Sequence, residues 1–276
     1  MTVLILDRST GPLPPYPEWL RDHQDELVLF TERPSPPDPA VGYAQVRRFA
    51  RYATSPELEM AVLALARETA ITAIVAVADS DLVRAAALRQ HLGVPGQQRE
   101  AASVLSDLVV TRRTLADRGI PTIPVATPRR AADLYWHLHR WRGALRVRRR
   151  APGWPTVAVL GDEADIDAFA PGVFTADLDS VPDLVLEPAL PGGRLAAVAR
   201  PGQDVTDLTG LVGRSQRAAV AALDALPTDS GAAYRVYLRH TPDDWWLVDA
   251  VSGDVAADLL RDTVRAQAEP LAEAVG

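Results

Sequence analysis

The stretch AIVAVADSDLVRAAALRQHLGVPG, Ala73 to Gly96, runs from an aliphatic segment through an acidic turn into an amphipathic segment and closes on glycine and proline. Ala73–Val77 is too short and too uniformly apolar for a surface helix and reads as a buried strand. Asp81–His91 reads as a helix, with Gly93 placed for a left-handed C-terminal cap. Asp79 and Asp81 stand at the end of the strand, where α/β sheets tend to bind ligands, but such a pair more often caps the helix that follows. Upstream, Val3–Leu6 and Leu27–Phe30 read as strands, with Glu18–Gln24 as a helix between them. Pro34, Pro36, Pro37 and Pro39 enforce a loop, and Ala44–Arg51 is ambiguous. Leu58–Arg67 has helical apolar spacing behind Ser55 and Pro56. Strand alternating with helix predicts a parallel α/β unit up to about residue 95.

Composition narrows the function classes. The chain has 276 residues, 47% of them hydrophobic and 24% charged, as in an ordinary globular protein. A net charge of −7 argues against a protein built mainly to hold nucleic acid, which needs an excess of base. With no cysteine, disulfides, thiolate catalysis and cysteine-ligated zinc are excluded. No apolar run approaches a membrane span and the N-terminus lacks a signal-peptide core, so a soluble cytoplasmic protein is expected. All 29 basic residues are arginine. Any chemistry that elsewhere uses lysine falls here to another side chain.

Beyond residue 100 the rhythm changes. Ala101–Arg118 reads as one or two helices closed by Gly119 and Pro121, Thr122–Val125 as a strand, and Pro128–His139 as a helix. Arg146–Arg149 and Thr156–Leu160 read as strands joined by a tight turn, followed by a helix over Asp162–Phe169. Leu184–Ala189 and Leu195–Ala199 are short strands flanking Pro191-Gly192-Gly193. A helix over Arg214–Leu226, a hairpin of Ala232–Arg239 with Trp246–Ala250, and a C-terminal helix over Val255–Ala274 complete the chain. His137 and His139, two apart on a helix, point about 200° away from each other and do not share a metal. The pair Asp243-Asp244 reads as a hairpin turn.

The order of these motifs resembles the ATP-grasp ligases, which join a carboxylate to an amine through an acyl phosphate. Ala73–Gly96 is similar to the end of that family's opening domain. Arg112–Arg118 with GIPTIPV, Gly119 to Val125, resembles the entry to its lid. LRVRRRAPGWPTVAVLGDEADIDAF, Leu145 to Phe169, resembles the lid itself. DLVLEPALPGG, Asp183 to Gly193, resembles the adenine hinge, and AAYRVYLRHTPDDWWLVDAVSGD, Ala232 to Asp254, the metal hairpin. The resemblance covers roughly residues 73–254. It implies an α/β fold with a parallel opening domain, a small lid and a shortened C-terminal subdomain of mixed sheet and helices, divided at 1–100, 101–182 and 183–276.

On that resemblance, Arg148 stands where the lid strand carries a phosphate-binding lysine, and Arg112 or Arg113 where the preceding helix carries a second. Arginine supplies charge to phosphate, but as a bulkier planar fork. Adenine would lie at Glu187–Leu190, read by the Pro188 carbonyl and the Leu190 N–H. Arg194 falls where a ribose-binding carboxylate is usual. The phosphate loop departs from the pattern: Ala151-Pro152-Gly153-Trp154-Pro155 loses two N–H donors to proline and gains a bulky indole. Of three metal ligands, Val236 replaces one, Val251 another, and Asp249 alone keeps a carboxylate. Magnesium prefers near-octahedral oxygen coordination, so the usual two-ion form is not expected.

These residues point to a degenerate ATP-grasp protein without ordinary Mg-ATP ligase activity. It would serve as a ligand-binding or partner-stabilising subunit, either homodimeric or with a second protein, with ATP or ADP as the ligand if the old cleft still opens. A divergent carboxylate–amine ligase that uses arginine for lysine is the alternative. RNA binding through Arg129–Arg150, where eight arginines meet one acid and several aromatics, is a weaker one.

Overall fold

A computed structural model describes residues 1–8, 11–23, 25–150, 154–174, 183–191, 194–199, 206–207, 213–227, 234–240, 246–252 and 257–268. In chain order the elements are β1 (Thr2–Asp7), α1 (Tyr16–Trp19), β2 (Glu26–Thr31), β3 (Gln45–Arg48), α2 (Glu57–Glu68), β4 (Ile71–Ala76), α3 (Leu82–Leu92), α4 (Arg99–Ser106), α5 (Leu108–Asp117), α6 (Ala131–Trp141), β5 (Leu145–Arg149), β6 (Thr156–Leu160), α7 (Glu163–Phe169), β7 (Leu184–Pro188), β8 (Arg194–Ala199), β9 (Thr206–Asp207), α8 (Arg214–Asp224), β10 (Tyr234–His240), β11 (Trp246–Ser252) and α9 (Ala257–Ala268).

The first sheet is parallel, in the order β3-β2-β1-β4. β1, β2 and β4 are largely aliphatic because both faces are covered, whereas the edge strand β3, QVRR, is mostly exposed. Leu4, Leu6, Val28, Phe30, Ile74 and Ala76 face α2 and α3, while Val3, Ile5, Leu27, Leu29, Ala73 and Val75 face α1 and the returning α9. Gly93 caps α3 at φ 69°, as the sequence predicts. The expected helix over Glu18–Gln24 is instead the single turn α1, started by the Pro14–Pro17 segment, and the ambiguous Ala44–Arg51 supplies β3.

Two antiparallel sheets follow, β6-β5-β7 under α6 and α7, and β11-β10-β8-β9 under α4, α5 and α8. The strands either side of Pro191-Gly192-Gly193 therefore do not form a hairpin: β7 belongs to one sheet and β8 to the other. Thr122–Val125 forms no strand either. Pro121 and Pro124 remove the donors a ladder needs, so the segment makes one bridge at each end, Thr122 to Val248 of β11 and Ala126 to Leu186 of β7. This strap ties β7 to β11. No helix among the described residues is long and apolar enough to cross a membrane.

Candidate functional site

The strap brings together the residues next to its two anchor points, Glu187 beside Leu186 and Asp249 beside Val248. Asp249 owes its position to a β-bulge. The β10–β11 register pairs Tyr237 with Ala250 and Leu238 with Val248, leaving Asp249 as the extra residue. A bulge re-aims its side chain and frees its backbone from the ladder. Arg112 uses both consequences: its Nε donates to the Asp249 carbonyl at 2.9 Å and its Nη2 to the Asp249 carboxylate at 2.7 Å.

Arg112 stands on the buried side of α5, whose start is fixed by Asp107 accepting the backbone N–H groups of Val109 and Val110. Its Nη2 also donates to Glu187 Oε2 at 2.7 Å, so one guanidinium joins two carboxylates. The side chains of Arg112, Glu187 and Asp249 are all 0% exposed. Arg148, on β5, donates through Nε to Glu187 Oε1 at 2.8 Å and through Nη1 to the Trp154 carbonyl at 3.2 Å. Arg146 reaches the same Glu187 oxygen at 3.1 Å. Arg239, from β10, stands 3.4 Å from Asp249 Oδ2. Burial alone would raise the Glu187 carboxyl, but the Arg112 and Arg148 guanidiniums outweigh it and hold the group below its ordinary value.

The sequence-derived candidates Arg112, Arg148, Glu187 and Asp249 thus converge on one buried cluster. Arg113, the alternative to Arg112, is exposed on α5. Arg146 and Arg239 were not singled out individually. Their signal was the strand alternation, which places Arg146 and Arg148 together on one face of β5 and sends Val236 into the apolar core between β10 and α8. Val236 therefore offers nothing at the cluster. At the hinge, the Leu190 N–H donates to the Pro188 carbonyl at 2.9 Å, so the donor and acceptor expected to read adenine satisfy each other. Residues 151–153 of the expected phosphate loop, Gly192-Gly193 and Asp243-Asp244 lie outside the described residues, as does the Arg194 side chain. Trp154 has φ 49°, an uncommon conformation for a bulky residue.

A divalent cation does not fit this set. Both carboxylates already accept guanidinium donors, and four arginines surround them. Among the described residues no three His, Cys, Asp or Glu side chains gather to hold a metal. His139 pairs with Glu163 at 2.8 Å, and His137 packs between Trp136 and Trp141.

The architecture is shared with solved enzymes. An L-amino acid ligase from Bacillus licheniformis superposes at a TM-score of 0.75 over 98% of this chain and 74% of its own, at 15% identity. An N5-carboxyaminoimidazole synthetase from Staphylococcus aureus, complexed with ADP, gives 0.72 over 97% and 77%, at 12% identity. The fold is the ATP-grasp fold. A third ATP-grasp structure, phosphoribosylglycinamide synthetase from Anaerococcus prevotii, gives 0.60 over 91% of this chain and 67% of its own, at 16% identity. No family model matches the sequence, and no curated protein matches it at a significant level.

Proposed function

We propose that this ATP-grasp-fold chain has given up metal-dependent ligation and serves as a ligand-binding or partner-stabilising subunit. The observation that carries this reading is Arg112, whose single guanidinium holds Glu187 and Asp249 at 2.7 Å each in full burial. Phosphoryl transfer in such a cleft depends on carboxylates that position magnesium against phosphate oxygens. Here the charges meant for magnesium and phosphate neutralise each other. The Pro188–Leu190 hydrogen bond adds to this, because adenine would have to break it to be read.

The second reading, a carboxylate–amine ligase with arginine in place of lysine, draws support from the neighbours, which are ligases and synthetases, one of them complexed with ADP. Titration calorimetry separates the two. The subunit reading expects no heat from ATP that depends on magnesium. Tight, magnesium-dependent binding that Asp249→Ala abolishes would establish the ligase and overturn the subunit.

A further inference from the structure

Helix α6 carries an outward stripe that combines an exposed tryptophan with arginine. Ala132, Trp136 and Arg140 follow one another at four-residue spacing, all exposed, while Leu134 and Leu138 are buried against β5 and α7. Trp136 is 55% exposed, and the Arg140 guanidinium lies over its ring at 4.9 Å from the centroid. Exposed Arg129 and Arg130 precede the helix and exposed Arg142 follows it. The one acid of the helix, Asp133, is spent on the backbone N–H groups of Arg129 and Arg130. The acids of neighbouring α7 are turned to the other flank, Asp167 to Tyr135 and Glu163 to His139.

Several arginines elsewhere in this acidic chain are matched, Arg8 with Glu32, Arg33 with Asp7, Arg84 with Glu59 and Arg150 with Asp107. Others, Arg48 and Arg51 among them, are exposed without an ion pair to any described residue, but only the α6 set flanks an exposed tryptophan among the described residues. Arg129, Arg130, Arg140 and Arg142 make no ion pair with any described residue. Tryptophan and arginine are the side chains that most often anchor protein interfaces, and a cation over an indole presents both as one unit.

We infer that this stripe is the docking face for a protein partner that offers an acidic, partly apolar segment, with Trp136 as the anchor and the four arginines as the charge complement. The inference rests on the subunit reading and names its surface. One contact favours a protein segment over nucleic acid: Arg140 already covers a face of the Trp136 ring that a base would need for stacking.

The test uses the full chain and three labelled probes: an amphipathic peptide of glutamate and leucine, the same peptide with lysine for glutamate, and a short single-stranded RNA. Anisotropy at low salt should show the acidic peptide binding wild type. Its affinity should fall about tenfold or more in Trp136→Ala and in Arg140→Glu, and the lysine peptide should not bind. Both variants should keep the wild-type melting temperature because both side chains are exposed. No binding of the acidic peptide, equal binding to wild type and variants, tighter binding of the RNA, or self-association that Arg140→Glu dissolves would each overturn the inference. Nucleotide calorimetry on the same preparations stays independent: magnesium-dependent ATP binding would remove the subunit reading without touching the peptide result.

Discussion

Arg112 grips Asp249 twice, by its backbone carbonyl at 2.9 Å and its carboxylate at 2.7 Å, and the same guanidinium spans to Glu187. Removing one partner of a buried ion pair leaves uncompensated charge, at a cost of about 3–5 kcal/mol. Arg112→Met should therefore lower unfolding stability by that order in a urea titration. An Arg112→Met variant as stable as wild type would show that the buried cluster contributes nothing measurable to stability.

Another fully buried carboxylate, Asp81, has the opposite character to Glu187. It follows β4 at the edge of the first sheet, beside Tyr52, and neither of its oxygens closes a well-formed hydrogen bond. Burial pushes its carboxyl up to about 7, against the weaker pull of Arg84. Because the folded value is raised above the unfolded one, the folded state binds the proton more tightly across roughly pH 4 to 7, and stability falls as pH rises through that window. Asp81→Asn should raise the melting temperature clearly near pH 8.5 and little near pH 4. A gain of the same size at both would contradict the assignment.

Gly96 is needed where it stands. Its φ is +127°, and a Cβ there would come within 3.0 Å of Arg89 Cδ and 3.1 Å of its Nε. Arg89 is buried and donates from Nε to the Ile74 carbonyl at 3.1 Å, tying α3 to β4. Gly96→Ala should cost about 1–3 kcal/mol through backbone strain alone, read as a drop in denaturant midpoint with unchanged slope.

How much of this could be read from the residues depended on which force set each element. Ala73–Val77 and Val3–Leu6 were legible as parallel strands because two covered faces demand unbroken aliphatic runs. Gly93 was legible because its cap needs a left-handed residue. The strap over Thr122–Val125 was not, since its place is fixed by two bridges to distant strands that local spacing does not encode. Asp81 suited a helix cap by position, yet the structure buries it without a capping bond. At the site, Arg112, Arg148, Glu187 and Asp249 were each found through resemblance, but their mutual pairing was hidden. It arises from the bulge at Asp249, a shift of one residue between β10 and β11 that leaves no mark in the sequence pattern. Arg146 stands opposite Glu187 across the β5–β7 pairing, a long-range register that local spacing does not encode.

The central claim is that guanidiniums of the chain itself occupy the ground where magnesium and phosphate would sit. The most direct measurement is a crystal structure grown with saturating ADP and magnesium. The account predicts the Arg112–Glu187 and Arg112–Asp249 contacts intact, with no ion between the two carboxylates. Density for ADP at Glu187–Leu190, with magnesium bound to Asp249 and Arg112 swung away, would contradict it.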